Sequence, residues 1–181
     1  MDLFNKLKNV WIGGDYAGRD IINNVMPTLS QIEKLSSSYK DEVTNKQKTT
    51  TFIDELNHYH TKKEEIRDLT TKLTAAGLSD YIDEAEKLKE LISKLIIKYQ
   101  NYRSAQKIIT YLLAEVESIF NSQIKPKLNQ NMSIHEMKAL LRVCLELELN
   151  DKLGENVLEI YNRQINGMVF FLTGNCHLEW D

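Results

Sequence analysis

The sequence predicts a mainly α-helical protein with long antiparallel helices, a short N-terminal β-element and a C-terminal β-hairpin. Two observations predict the helices: the 181 residues include only 7 Gly and 2 Pro, and apolar residues recur at steps of three and four over long stretches. β-Branched and aromatic residues that flank glycines near both ends predict the β-elements. We divide the chain into a glycine-rich strand–turn–strand segment, residues 1–27, and a helical domain ending in a β-hairpin, residues 28–181.

The N-terminal segment holds three glycines, Gly13, Gly14 and Gly18, between apolar and β-branched residues. A phosphate-binding P-loop requires a Lys-Ser/Thr pair after its second glycine, and a dinucleotide loop requires three glycines that open into a helix. Here Arg19-Asp20-Ile21-Ile22 follows the last glycine and continues as a strand. The spacing therefore favours a strand–turn–strand over a nucleotide-binding loop.

This ribbon is predicted to mediate assembly. A two-stranded ribbon is only marginally stable alone in water, and its open edges can pair with other copies or with a partner strand. The alternative is that the segment docks on the helices of its own chain. The residues predicted to form the assembly surface are Trp11, Ile12, Asp15, Arg19 and Asp20.

The first two helical sections follow from the apolar spacing. The first spans about 28–74, as one helix or as two that break within the polar stretch 44–51, and 75–77 (Ala-Ala-Gly) ends it. The second runs unbroken over about 80–124 until Pro126. At 1.5 Å per residue it would be roughly 65 Å long. That length predicts an elongated molecule and, because long helices need partners, a homo-oligomer.

The third helical section begins at a capping box, with Ser133 as N-cap and Glu136 three residues later. It continues to about Leu149, residues 150–154 are predicted to form a break or a kink, and a short helix follows over about 155–165.

The C-terminal tail shows a different pattern. Two short apolar runs surround Gly174-Asn175, which predicts a β-hairpin. Phe170, Phe171 and Trp180 are candidates for a second contact patch, and core packing is the alternative use for them.

No group of residues predicts catalysis, cofactor binding or metal binding. On a helix, His58 and His60 lie about 200° apart and cannot bind one ion together. Cys144 lies on an apolar stripe, which indicates a core position. Cys176 and His177 are adjacent on a predicted strand and would point to opposite faces. The sequence therefore favours a protein that is not an enzyme.

Charge and hydropathy restrict the partners and the location. The net charge is −3, and residues 133–181 carry eight acids against four bases, so direct nucleic-acid binding is not expected. No apolar run approaches the roughly 18–20 residues that span a bilayer. The first residues lack the apolar region of a secretory signal. We expect a cytoplasmic protein without a membrane partner.

Two segments resemble known bacterial families. The residues from Trp11 to Ile21, WIGGDYAGRDI, are similar to the GD-x-x-GRD motif of bacterial conflict and defence proteins. The residues from Gly167 to Trp180, GMVFFLTGNCHLEW, resemble the ending of C-terminal domains in ABC-three-component systems. Such systems combine an SMC-like ABC ATPase, a middle component and an effector-bearing component, and they are related to Lamassu-type anti-phage defence.

The resemblance implies a non-catalytic helical domain with an assembly or adaptor role in the sensing of invading DNA. The partners that it implies are the SMC-like ATPase and the middle component of the same system. One alternative is a small stand-alone toxin or effector that acts on nucleotides or nucleic acid. A further alternative is a coiled-coil structural protein without a signalling partner.

Overall fold

The computed structural model describes residues 30–61, 67–129 and 131–180, and this part of the chain is mainly helical, as predicted. The helices are, in chain order, α1 (Gln31–Thr44), α2 (Asp54–His60), α3 (Leu69–Ala75), α4 (Ile82–Tyr99), α5 (Arg103–Ile119), α6 (Ile134–Leu141), α7 (Leu147–Leu153) and α8 (Asn162–Gly174). Two wider π-helical turns extend α5 and join α6 to α7; they are Phe120–Ile124 and Arg142–Glu146. No helix in these described ranges is both long enough and apolar enough to cross a membrane.

Helix α8 lies at the centre of the core. Its residues from Gly167 to Gly174 are all buried. It packs most extensively on α4 and also contacts α5 and α3. Gly167 permits the close approach to α4, because a Cβ atom there would lie 2.8 Å from the Leu88 carbonyl oxygen and 2.9 Å from Ile92 Cγ1. Burial on all sides explains why the second half of α8, from Met168 to Leu172, is apolar around its whole circumference.

The prediction of a C-terminal β-hairpin is wrong. The apolar run 168–172 lies inside α8, residues 174–175 end that helix instead of forming a hairpin turn, and no strand forms over 176–180. A short apolar run has the same appearance in a buried strand and in a buried helix, so periodicity alone cannot distinguish the two.

The predicted unbroken helix over 80–124 is interrupted at residues 100–102, between α4 and α5. The interruption is stabilised from α1: both carboxylate oxygens of Glu42 accept from the Ser104 backbone N–H at 3.1 Å, and one accepts from Ser104 Oγ at 2.7 Å. Glu42 therefore caps α5 from 62 residues away. Because the long helix is divided, it no longer supports the expectation of an elongated molecule.

The first predicted section, 28–74, contains three helices in its described part. Helix α1 ends within the polar stretch, as one of the two predicted alternatives required, and the chain then leaves α2 at Thr61 in an extended conformation. The Asp68 carboxylate accepts from the Thr71 backbone N–H at 2.8 Å and begins α3. Gly77, with φ of 76°, follows α3 as predicted.

The third predicted section is confirmed at its start and wrong at its end. The Glu136 N–H donates to Ser133 Oγ at 3.2 Å, and Glu136 Oε2 accepts from the Ser133 N–H at 2.8 Å, which is the predicted capping box. The predicted break at 150–154 is shorter than expected, since α7 continues to Leu153 and ends before Gly154. The predicted short helix over 155–165 is absent from most of that range, since α8 begins at Asn162. Asn156 instead stabilises a loop there. Its Nδ2 donates to the Ile160 carbonyl, and its Oδ1 accepts from the Ile160 backbone N–H.

Candidate functional site

The predicted N-terminal assembly residues lie outside the described part of the chain. They are Trp11, Ile12, Asp15, Arg19 and Asp20. Their role in assembly stays a prediction from the sequence.

The predicted C-terminal candidates are buried in the core. Phe170, Phe171 and Trp180 are each at most 3% exposed. The Trp180 ring stacks on the Phe170 ring at 5.9 Å and lies 5.1 Å from the Phe120 ring. Its indole N–H donates to Thr173 Oγ1 at 2.9 Å. In the folded domain Trp180 packs against Phe170 and Phe120 and thereby holds residues 175–180, the C-terminal tail, against α8. These buried aromatic residues offer no contact patch on the domain surface.

A buried lysine fixes the same tail. Lys72 is 1% exposed, and its Nζ donates to the Leu178 carbonyl at 2.9 Å and to the Thr173 carbonyl at 3.2 Å. The same Nζ lies 2.8 Å from Glu179 Oε1, and Arg67 pairs with Glu179 Oε2 at 2.5 Å. The ammonium thus supplies a donor to the Leu178 carbonyl and a further one to the Thr173 carbonyl, and these contacts use it within the fold.

Two of the histidines, His58 and His177, join an aromatic cluster. The His177 ring lies 5.0 Å from His58 and 5.1 Å from Tyr59. Burial, together with the hydrogen bond from Tyr59 Oη to Glu117 at 2.9 Å, raises the pKa of Tyr59 to about 12. Within the described ranges no group of three or more His, Cys, Asp or Glu could hold a metal ion. This cluster packs α2 against the tail.

The two cysteines, Cys144 and Cys176, are both free thiols. Cys144 is buried, and Cys176 lies in the turn after α8 with φ of 63°. Cys176 Sγ lies 3.6 Å from the Arg67 carbonyl. Its backbone is a turn and not the predicted strand, so the strand argument that separated Cys176 from His177 does not apply.

The helix formed by α6, the second π turn and α7 exposes large apolar side chains. Val143 is 66% exposed and Leu147 is 62% exposed, one turn further along the same face. We call this pair the apolar strip. Tyr161, which is 61% exposed, precedes α8. The hydrogen bond from Asn150 Nδ2 to Asn162 Oδ1, 2.6 Å long, holds that end of α8 on α7.

A groove of about 430 Å³ lies beside the apolar strip, between α4, the second π turn and α8. Its basic side chains are Lys87, Lys138, Arg142 and Arg163, and its acidic ones are Glu84 and Glu146. We call it the basic groove. Lys138 pairs with Glu84 at 3.0 Å and lies 4.7 Å from the centre of the Tyr81 ring. Within the described residues, the other three bases form no ion pair.

An acceptor lies in the wall of the basic groove. Glu146 is 9% exposed, and its Oε1 accepts from Asn166 Nδ2 at 2.7 Å. This bond fixes the orientation of the Asn166 amide, because the opposite orientation would place two acceptors together. Asn166 Oδ1 is buried and has no hydrogen-bond partner among the described residues. Such an orphaned acceptor costs about 1–3 kcal/mol unless a donor is supplied.

Comparison of the sequence with models of protein families identifies the family of this chain. The family model for C-terminal domain 9 of the ABC-three-component (ABC-3C) systems matches residues 68–180, which is more than half of the chain. The chain belongs to this family. These systems are related to defence. Comparison with curated proteins and with solved structures gave no match.

The range matched by the ABC-3C domain covers α3 to α8 and the tail, and it includes both the apolar strip and the basic groove. Sequence reasoning missed both surfaces. A signal for the strip was present: the helical section after Ser133 has more apolar residues than one buried stripe accommodates, and Val143 falls outside that stripe. The basic groove could not be found in this way, because its side chains come from three separate helices.

Proposed function

We propose that this ABC-3C domain is a non-enzymatic adaptor that assembles components of a bacterial defence system. It would form a homo-oligomer through its N-terminal segment and contact the SMC-like ATPase or the middle component through its helical surface. The observation that carries the proposal is the apolar strip, because Val143 and Leu147 each expose more than half of their surface one helical turn apart on the same face. Exposed apolar side chains grouped on one face are typical of protein contact sites.

Family membership and the use of the reactive side chains also support the proposal. The match to a C-terminal domain of a multicomponent system is consistent with a role in contacting other components. Lys72 and Cys144, both buried, are used in packing and hydrogen bonding within the fold. The alternative, a stand-alone effector that acts on nucleotides or nucleic acid, requires a cluster of accessible catalytic groups, and no observation favours it.

Co-purification with the co-encoded ATPase and middle component tests the proposal. The double variant Val143→Gln/Leu147→Gln keeps helix-forming residues but removes the apolar strip, so we expect it to recover less than about a tenth of the partner that the wild type recovers. The control is Ile97→Gln, which changes an apolar residue that is 57% exposed on α4. We expect the control to recover partner as the wild type does.

Two results would contradict the adaptor role. One is that neither component co-purifies with the wild-type chain. The other is that the wild-type chain turns over a nucleotide or cleaves nucleic acid, which would support the effector alternative instead.

A further inference from the structure

The basic groove is an unusual concentration of positive charge in this chain. Residues 133–181 carry only four bases against eight acids. Three of those four bases, Lys138, Arg142 and Arg163, line the groove, and Lys87 of α4 completes it. The fourth base, Lys152, lies elsewhere and pairs with Glu115 and Glu148. The fold therefore collects scattered bases at one surface of an acidic protein.

The groove keeps a net positive charge within the described part of the chain, because four bases line it against two acids. The Lys138–Glu84 pair neutralises one base, and Glu146 is turned towards Asn166. Lys87, Arg142 and Arg163 are exposed. Like charges placed around one concavity repel one another, and an anionic ligand relieves that repulsion.

The second π turn links this charge to the apolar strip. Arg142 and Glu146 line the groove, and their chain neighbours Val143 and Leu147 form the strip. One continuous helix thus presents cations on one side and large apolar side chains next to them. π-Helical turns are rare within α-helices and occur often at functional sites.

We propose that the basic groove and the apolar strip together bind an acidic amphipathic segment of another component of the same ABC-3C system. Carboxylates of the segment contact Lys87, Arg142 and Arg163, and its apolar side chains cover Val143 and Leu147. This inference rests on the proposed adaptor role and adds the chemistry of the partner.

The surroundings of the groove favour a protein segment over nucleic acid. A phosphate backbone would use the cations, but it would leave Val143 and Leu147 uncovered. The net charge of −3 also opposes association with a polyanion as long as duplex DNA. An acidic peptide segment carries a short run of charge and supplies the apolar contacts as well.

The test uses overlapping fluorescent peptides that cover the sequences of the co-encoded ATPase and middle component, with the full-length chain as receptor. We expect the bound peptides to be acidic and to contain apolar residues at helical or alternating spacing. Binding should weaken as salt rises from about 0.05 M to about 0.3 M, because exposed charges are screened. Arg142→Glu/Arg163→Glu should weaken binding roughly tenfold or more.

Lys107→Glu is the matched control, because Lys107 is an exposed base on α5. It should leave binding unchanged. Circular dichroism of each variant checks that the helical domain is folded.

Three outcomes would overturn the inference. The first is that no acidic peptide binds the wild type; the second is that the charge reversal has no more effect than Lys107→Glu. The third is that duplex DNA binds the groove and loses affinity on the same charge reversal. If whole partner components co-purify while peptide binding is insensitive to Arg142 and Arg163, the adaptor role stands and the groove assignment fails. If no component co-purifies yet acidic peptides bind through Arg142 and Arg163, the groove assignment stands and the adaptor role fails.

Discussion

At the scale of single residues, Lys72 shows how one buried cation organises several segments. Its ammonium contacts the Thr173 and Leu178 carbonyls and the Glu179 carboxylate, so it joins α3 to the end of α8 and to the tail. A lysine is almost never fully buried unless it is paired. Here Nζ contacts two carbonyls and a carboxylate, and these contacts hold α3 against the end of α8.

We predict that Lys72→Met destabilises the protein by about 1–3 kcal/mol, because the variant fills similar space but leaves the buried Leu178 carbonyl without its donor. Urea unfolding followed by circular dichroism measures the change. Lys107→Met is the control, and its effect should stay within about 0.5 kcal/mol, since Lys107 is exposed on α5. Equal effects of the two substitutions would show that the Lys72 contacts are not stabilising.

At the scale of helices, the contact between α4 and α8 depends on Gly167. We predict that Gly167→Ala destabilises the protein by about 1–2 kcal/mol, because overpacking against the Leu88 carbonyl outweighs the gain in helix propensity. The urea concentration at the midpoint of unfolding measures this loss of stability.

Gly174→Ala is the matched control for this prediction. Its Cβ would lie 2.8 Å from Lys89 Cε, which is the far end of a flexible side chain that can move away. The control should therefore change stability by less than about 0.5 kcal/mol. A neutral Gly167→Ala variant would show that the two helices can separate without cost.

Some of these helices could be predicted from the sequence, and others could not, for a physical reason. The start of α6 depends on Ser133 and Glu136, which are three residues apart, so its signal is local and visible. The start of α5 depends on Glu42, which is distant in sequence, and no local residue caps it. The apolar run of α8 carries no period, because neighbours surround the helix on every side.

The candidate site was less predictable than the fold. Core positions such as Cys144 follow from the apolar stripe. The basic groove requires Lys87, Arg142 and Arg163 to approach from three helices, and no spacing in the sequence indicates that. The tail residues Phe170 and Trp180 are conspicuous in the sequence because they are large and aromatic, and the fold buries both.

At the scale of the whole molecule, the quantity that tests the predicted assembly is the mass in solution. We predict that light scattering shows a multimer for the full chain and a dissociated protein for a variant lacking residues 1–24, because the predicted strand–turn–strand needs partners for its edges. Circular dichroism should show that the truncated variant keeps its helices, since every helix that the structure describes lies within residues 30–180. Monomers in both samples would rule out assembly through this segment.

The contacts of Lys72 have a consequence for the order of events during synthesis. The carbonyls that accept from its ammonium follow it by 101 and 106 residues. While the ribosome is still translating the segment between them, the charge has no acceptors and stays in water. Helix α3 therefore cannot settle into its final place until the tail has emerged. We therefore expect the domain to complete its folding late, and a nascent chain that stalls before Leu178 to leave the apolar face of α3 exposed to chaperones and proteases.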